Sequence, residues 1–382
     1  MGAMIENFLH WARKAPVAER TAAAPELVRV YFLPRLTDDE RGDIDAAMTI
    51  LLDDAAVEVR SALADALSRS EKAPAHIVTA LAADVAPIAM MMAERSPVIL
   101  DSELVDMVAV RGEAMQIAIA GRPFLSRAVS AAIGEVGAME ACRTLVSNPG
   151  ARIPRFTLDR IVARHGDCPE LRLALLERGD LPLDVREALL GRLAEALREL
   201  IVAHGWTTPE RAATVTRDAR ECATIAASFE APADNMPALV AQLIEADALS
   251  PAFLIRAVAT GQTLLFETAL AALAKMPHER VSALIASARP SNLRALLQRA
   301  KLPKKTFPVF AAAIDVIRKG DTAPGETSDY RRATYLIDAI VARYQKRQDR
   351  ELDQILALLR RFARDAKRTA ARDYAGQLSE AA

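Results

Sequence analysis

Cysteine is scarce. Cys142, Cys168 and Cys222 are the only three among 382 residues, an odd number spread along the chain with no CxxC pair. That usage argues against a disulfide framework or a thiolate zinc site and fits a reducing compartment. The five histidines never fall at i, i+3 or i+4, so no local metal pair exists. No phosphate loop of GxxxxGK or GxGxxG type occurs, and no cofactor or metal is expected. Long apolar runs are missing too: no stretch of 18 or more residues is free of charge, which argues against a membrane span. The N-terminus lacks the basic-then-apolar order of a secretory signal, and Glu6 stands where a myristoylation site needs Ser or Thr. The cytoplasm is therefore the expected location. Net charge is almost nil, 49 basic against 50 acidic residues, so no global field draws nucleic acid or membrane.

Hydrophobic residues, at 52 % of the chain, supply a large core, and with only 15 glycines the mix favours helices over strands. One motif occurs twice. Asp54-Ala-Ala-Val-Glu-Val-Arg60 returns 126 residues later as Asp180-Leu-Pro-Leu-Asp-Val-Arg186, with Leu63 and Leu67 matched by Leu189 and Leu193. This reads as the turn and inner helix of a HEAT-type repeat. Asp54 and Asp180 are expected to cap the coming helix, and Arg60 and Arg186 to bond across the turn or to the neighbouring repeat.

Breakers divide the rest. Ser96-Pro97, Arg122-Pro123, Asn148-Pro149 and Gly166–Pro169 separate short periodic segments. Thr37 and Thr208 look like helix caps, the latter with Pro209 in the first helical position. The expected fold is all-α, a HEAT-like solenoid of stacked hairpins. Residues 1–183 form N-terminal repeats. Residues 184–248 form a long-helix segment that either continues the stack or makes a bundle. Residues 249–318 form further repeats, 319–329 a polar linker, and 330–374 an amphipathic hairpin.

The wording of certain segments is also recognisable. Ala73-Pro74 with Leu81–Asp84, Ser96-Pro97-Val98 with Leu100-Asp101 and Leu104, and Ala118–Ala120 with Arg122, Ser126 and Val129 belong to this pattern. Asn148 with Ala151, Leu181-Pro182, Leu249–Pro251 through Arg256-Ala257, Phe266 with Ala269–Ala271, and Leu293–Leu296 through Pro303 continue it. In these segments, over roughly residues 20 to 318, the chain resembles the alphaproteobacterial domain-of-unknown-function family 2336. The resemblance implies a HEAT-like helical protein and supplies no catalytic residues.

Charge is asymmetric along the chain. Residues 38–65 carry nine acids and two bases, residues 289–305 six bases and no acid, and residues 331–372 twelve bases and five acids. Arg294, Arg299, Lys301, Lys304, Lys305, Arg360, Arg361, Arg364, Lys367 and Arg368 are the candidate interaction surface. Leu336, Ile340, Leu352, Ile355, Leu359 and Phe362 are candidates for packing on the repeats or for homodimer formation. These features lead to a non-enzymatic scaffold for a protein partner, an adaptor in bacterial signalling or regulation. The alternative is a nucleic-acid-binding HEAT-like protein using the C-terminal basic helices, which the balanced net charge disfavours. A phosphotransfer-like bundle at the C-terminus lacks any imidazole, because no histidine follows His278.

Overall fold

Helix starts follow the sequence punctuation. Thr37 opens a helix through a reciprocal capping box with Glu40, and Thr208 accepts from the Arg211 amide ahead of a helix whose first turn holds Pro209. The computed structural model describes residues 8–287 and 289–318, together with 338, 360–362, 364 and 368. Among these residues the chain is all-α; one isolated parallel bridge, Leu125 to Ala151, is the exception. No described helix is long and apolar enough to cross a membrane.

The chain divides after Asp180 into two compact units. In the first, the helices are α1 (Val17–Tyr31), α2 (Asp38–Leu52), α3 (Val57–Leu67), α4 (Ala75–Ala82), α5 (Ala86–Arg95) and α6 (Asp101–Val110). They continue with α7 (Glu113–Ala120), α8 (Arg127–Val136), α9 (Met139–Ser147), α10 (Arg155–His165) and α11 (Pro169–Glu177). One row runs α1, α3, α5, α7, α9, α11, each helix touching the next; a second row pairs α2 with α4, α6 with α8, and α8 with α10. Consecutive helices thus alternate between two layers, with Leu63, Leu67, Ile88, Met92, Ile119, Ile133 and Leu145 buried between them. Of the Met90-Met91-Met92 run, Met92 alone is fully buried.

The second unit begins with two long helices, α12 (Leu183–Ala203) and α13 (Pro209–Glu230), packed against each other. Shorter helices follow: α14 (Met236–Glu245), α15 (Pro251–Ala259), α16 (Thr263–Ala274), α17 (His278–Ser287), α18 (Pro290–Arg299) and α19 (Phe307–Arg318). Helix α14 packs on both α12 and α16, and α19 on α15. The core gathers around Phe253, Phe266 and Phe310, with the last two rings stacked 5.4 Å apart.

Departures from the sequence pattern have local causes. The periodic segment starting at Leu125 becomes helical only at Arg127, because Ser126 caps it by accepting from the Val129 amide. The segment from Pro303 opens as a 3-10 turn, Lys304–Thr306, before α19. Helix α14 follows Pro232 with no side-chain cap, inside the segment expected to hold only long helices; Pro237 is tolerated because it falls in the first turn. The linker 319–329 and most of the 330–374 hairpin lie outside the described residues.

Candidate interaction surfaces

The first copy of the repeated motif ties successive helices together. Arg20 donates to both carboxylate oxygens of Asp54, at 2.6 and 3.0 Å, and Arg60 donates to the Asp54 carbonyl and to both oxygens of Asp84, at 2.7 and 2.9 Å. These bidentate bonds hold Asp54 and Asp84 below the usual carboxylate range. Asp54 is not the cap residue itself. Ala56 occupies that position, and Asp54 accepts from the Ala56 amide at 2.9 Å, two residues upstream of the expected geometry. The second copy cannot repeat the bond: the equivalent residue is Pro182, which has no N–H. Asp180 instead accepts from Nε and Nη2 of Arg178, at 2.8 and 2.9 Å, and closes the first unit, while Arg186 sits half-buried in the first turn of α12 in the second.

A second set of bonds, to backbone carbonyls, stacks the loops of the first unit. Arg122 is buried and donates to the carbonyls of Ala93 and Ser96. Asn148 donates to those of Ala120 and Arg122, at 2.8 and 2.7 Å. Arg178 reaches Val146 at 2.7 Å and Asn148 at 3.2 Å. Gly150 allows the closest approach, since any Cβ there would overlap the Pro123 carbonyl oxygen. The readable sign of this staircase is the spacing of Pro97, Pro123 and Pro149, each 26 residues from the last.

With their polar groups spent inward, these loops and the helix start that follows the last of them carry apolar side chains outward. Leu100 is 64 % exposed, Phe124 56 % and Phe156 65 %. The Arg152 guanidinium lies 5.1 Å from the Phe124 ring centre; Arg127 is exposed, and Arg155, also exposed, lies 3.6 Å from the Asp159 carboxylate. Residues 121–127 and 148–156 hold four arginines and no acid, and of the four only Arg122 is buried.

In the second unit charge is buried. Glu187, 1 % exposed, accepts from Arg220 Nε at 2.7 Å and from the Thr224 hydroxyl. Gly191 leaves the room that Arg220 needs, for a Cβ there would stand 3.1 Å from its guanidinium carbon. A groove of about 300 Å³ opens beside this pair, lined also by Arg217, Glu221 and Ser250. Burial pushes the Glu187 and Glu221 carboxyls above the usual range. Both oxygens of Glu187 are engaged by α13, so it holds helices α12 and α13 together.

The C-terminal candidates separate into distinct roles. Arg294, Lys301, Lys304 and Lys305 are exposed on α18 and the turn after it, whereas Arg299 donates to the Ala274 carbonyl at 2.8 Å and secures the end of α16. Arg360, Arg364 and Arg368 are exposed. Arg361 pairs with Asp218 of α13, and Phe362 is buried against its own chain over Arg256. That side chain of the apolar stripe is therefore covered within one molecule. Lys367, Leu336, Ile340, Leu352, Ile355 and Leu359 lie outside the described residues.

Among the described residues, no group of three or more His, Cys, Asp or Glu side chains is arranged to hold a metal. Cys168 donates its thiol to Glu170 at 3.0 Å and does not engage His165 through it. Cys142 is fully buried and its thiol is pushed up to about 11 by that burial, whereas Cys222 is exposed. Native-state alkylation with a small maleimide should therefore modify Cys222 first and Cys142 more than about a hundredfold more slowly. Mass mapping of the adducts checks this order; equal rates would contradict the packing of α9.

Searches of curated proteins and of solved structures returned no match to the chain. A family model described as "Uncharacterised protein conserved in bacteria (DUF2336)" matches residues 88–352. That span begins in α5 and covers more than half of the sequence, and the chain belongs to this family.

Proposed function

We propose that the chain is a non-enzymatic, cytoplasmic, HEAT-like solenoid protein that docks an acidic segment of a protein partner on the loop edge of its first unit. One observation carries the reading: Phe124 and Arg152 on the loops, and Arg127, Arg155 and Phe156 in the first turns of α8 and α10 that follow those loops, are all exposed, and the loops are locked by inward bonds. A rigid edge of this kind loses little conformational freedom on binding. Exposed aromatics with arginines around them suit apolar anchors interleaved with carboxylates. The alternation of helices between two layers supports the solenoid part of the reading.

Peptides selected from a random display library on the full chain should be rich in Asp and Glu with Leu or Phe between them. Their affinity should fall more than about tenfold in the Phe124→Ala/Phe156→Ala variant and should weaken with salt. Selection without acidic enrichment, or undiminished affinity in that variant, would remove the proposal. Tight binding of random duplex DNA or single-stranded RNA through the same side chains would replace it with the nucleic-acid reading.

A further inference from the structure

The geometry points to a second recognition site, on the second unit, for a basic helix carrying an Arg-Phe pair; in the resting chain its own Arg361 and Phe362 fill it. This site is independent of the loop edge of the first unit. Its floor is Arg256, which is 3 % exposed. The guanidinium donates to the Asp218 carbonyl at 3.0 Å and to Asp218 Oδ1 at 3.3 Å, and its Nε lies 3.5 Å from Glu221 Oε2. Two acids thus face one internal arginine. Asp218 keeps its other oxygen for an incoming cation, and Arg361 supplies it. The ring of Phe362 then covers the guanidinium at 4.0 Å and joins the apolar cluster of the unit. An arginine sandwiched between carboxylates and an aromatic ring is a specific seat, because it needs both the cation and the ring next to it.

Around this pair, Arg360, Arg364 and Arg368 remain exposed. Among the described residues, the segment meets this seat through one apolar anchor, Phe362, and one ion pair, Arg361 to Asp218, within a strongly cationic stretch of sequence. The segment therefore acts as an internal competitor, and any external helix of the same chemistry binds only to the fraction of molecules in which the seat is vacated.

The test is fluorescence anisotropy of a labelled peptide spanning residues 350–374, titrated with full-length chains. The Phe362→Ala chain should bind the peptide at least about tenfold more tightly than the wild type, since its own occupant is weakened. Arg361→Glu, which removes no core contact, should give a smaller gain. Adding Asp218→Arg to either variant should abolish binding, and a peptide carrying Arg361→Glu should restore it. Equal binding to wild type and variants, binding to none of them, or indifference to Asp218→Arg each overturns the assignment. A wild-type mass of two chains that falls to one in Phe362→Ala would assign the seat to a second copy and overturn occupation within one chain.

Discussion

Replacing Gly150 by alanine should cost the first unit about 3 kcal/mol or more, because the added methyl meets backbone and not a movable side chain. Its Cβ would overlap the Pro123 carbonyl oxygen. Relief requires the loop before α8 and the loop before α10 to part. That movement stretches the Leu125 amide bond to Gly150, 3.2 Å, and the Arg152 amide bond to Leu125, 3.1 Å. It also loosens Asn148 from Ala120 and Arg122, so buried carbonyls lose their donors. For a unit of this size the melting temperature should fall by roughly 6–12 °C. Gly42 is the matched control. It lies exposed inside α2 with nothing within 4 Å of the position its Cβ would take. Gly42→Ala should be neutral or stabilising by up to about 1 kcal/mol, through helix propensity alone. Calorimetry of the two variants distinguishes them by sign; a Gly150→Ala chain that melts like Gly42→Ala would mean that the loops do not stack as described.

Local signals in the sequence translated well into structure. Thr37 and Thr208 act on amides three residues away, and the Pro breakers act on their immediate neighbours, so both are readable within a few positions. The inter-repeat arginines were not readable in this way. Arg122 and Arg178 bond backbone carbonyls 26 to 32 residues distant, and carbonyls carry no residue identity that a motif could reveal. Only the repeated proline spacing points to them. The two copies of the Asp–Arg motif illustrate the limit from the other side, since similar spacing gives different bonds once Pro182 replaces a residue with an amide hydrogen. Periodicity also marked Phe362 as apolar without saying what would cover it; burial over Arg256 depends on α13 and α15, which lie more than 100 residues earlier. Glu187 and Glu221 look like solvated faces of long helices in sequence, and Gly191 within α12 is the one local hint that an arginine must pass there.

Removing the charge of Arg256 should be the most damaging single change in the second unit. Arg256→Met leaves Asp218 and Glu221 facing each other without the cation that both address. Breaking a buried pair in this manner costs about 3–5 kcal/mol at neutral pH. The loss should shrink in acid. Burial already holds Glu221 above its ordinary value of 4.5, and Arg256 offsets part of that rise. A carboxyl whose folded pKa is raised contributes stability that is complete below its unfolded pKa and lost as pH rises through the folded pKa. Acidification from neutrality toward about pH 5 should therefore stabilise the second unit, through Glu187 and Glu221, and rescue Arg256→Met more than the wild type. The first unit should respond in the opposite sense. Burial holds His165 below its ordinary 6.5, so its contribution fades as pH falls through that range. Asp54 and Asp84, held low by Arg20 and Arg60, lose theirs as pH falls below 3.8. Hydrogen exchange read separately in α13 and α15 and in α9 and α10, at neutral pH and near pH 5, resolves the two responses. The Arg256→Met/Glu221→Leu double variant should recover most of the stability lost in the single one, because no unpaired carboxylate remains beneath Phe362. Equal losses for Arg256→Met at both pH values would show that Glu221 is not the charge left stranded.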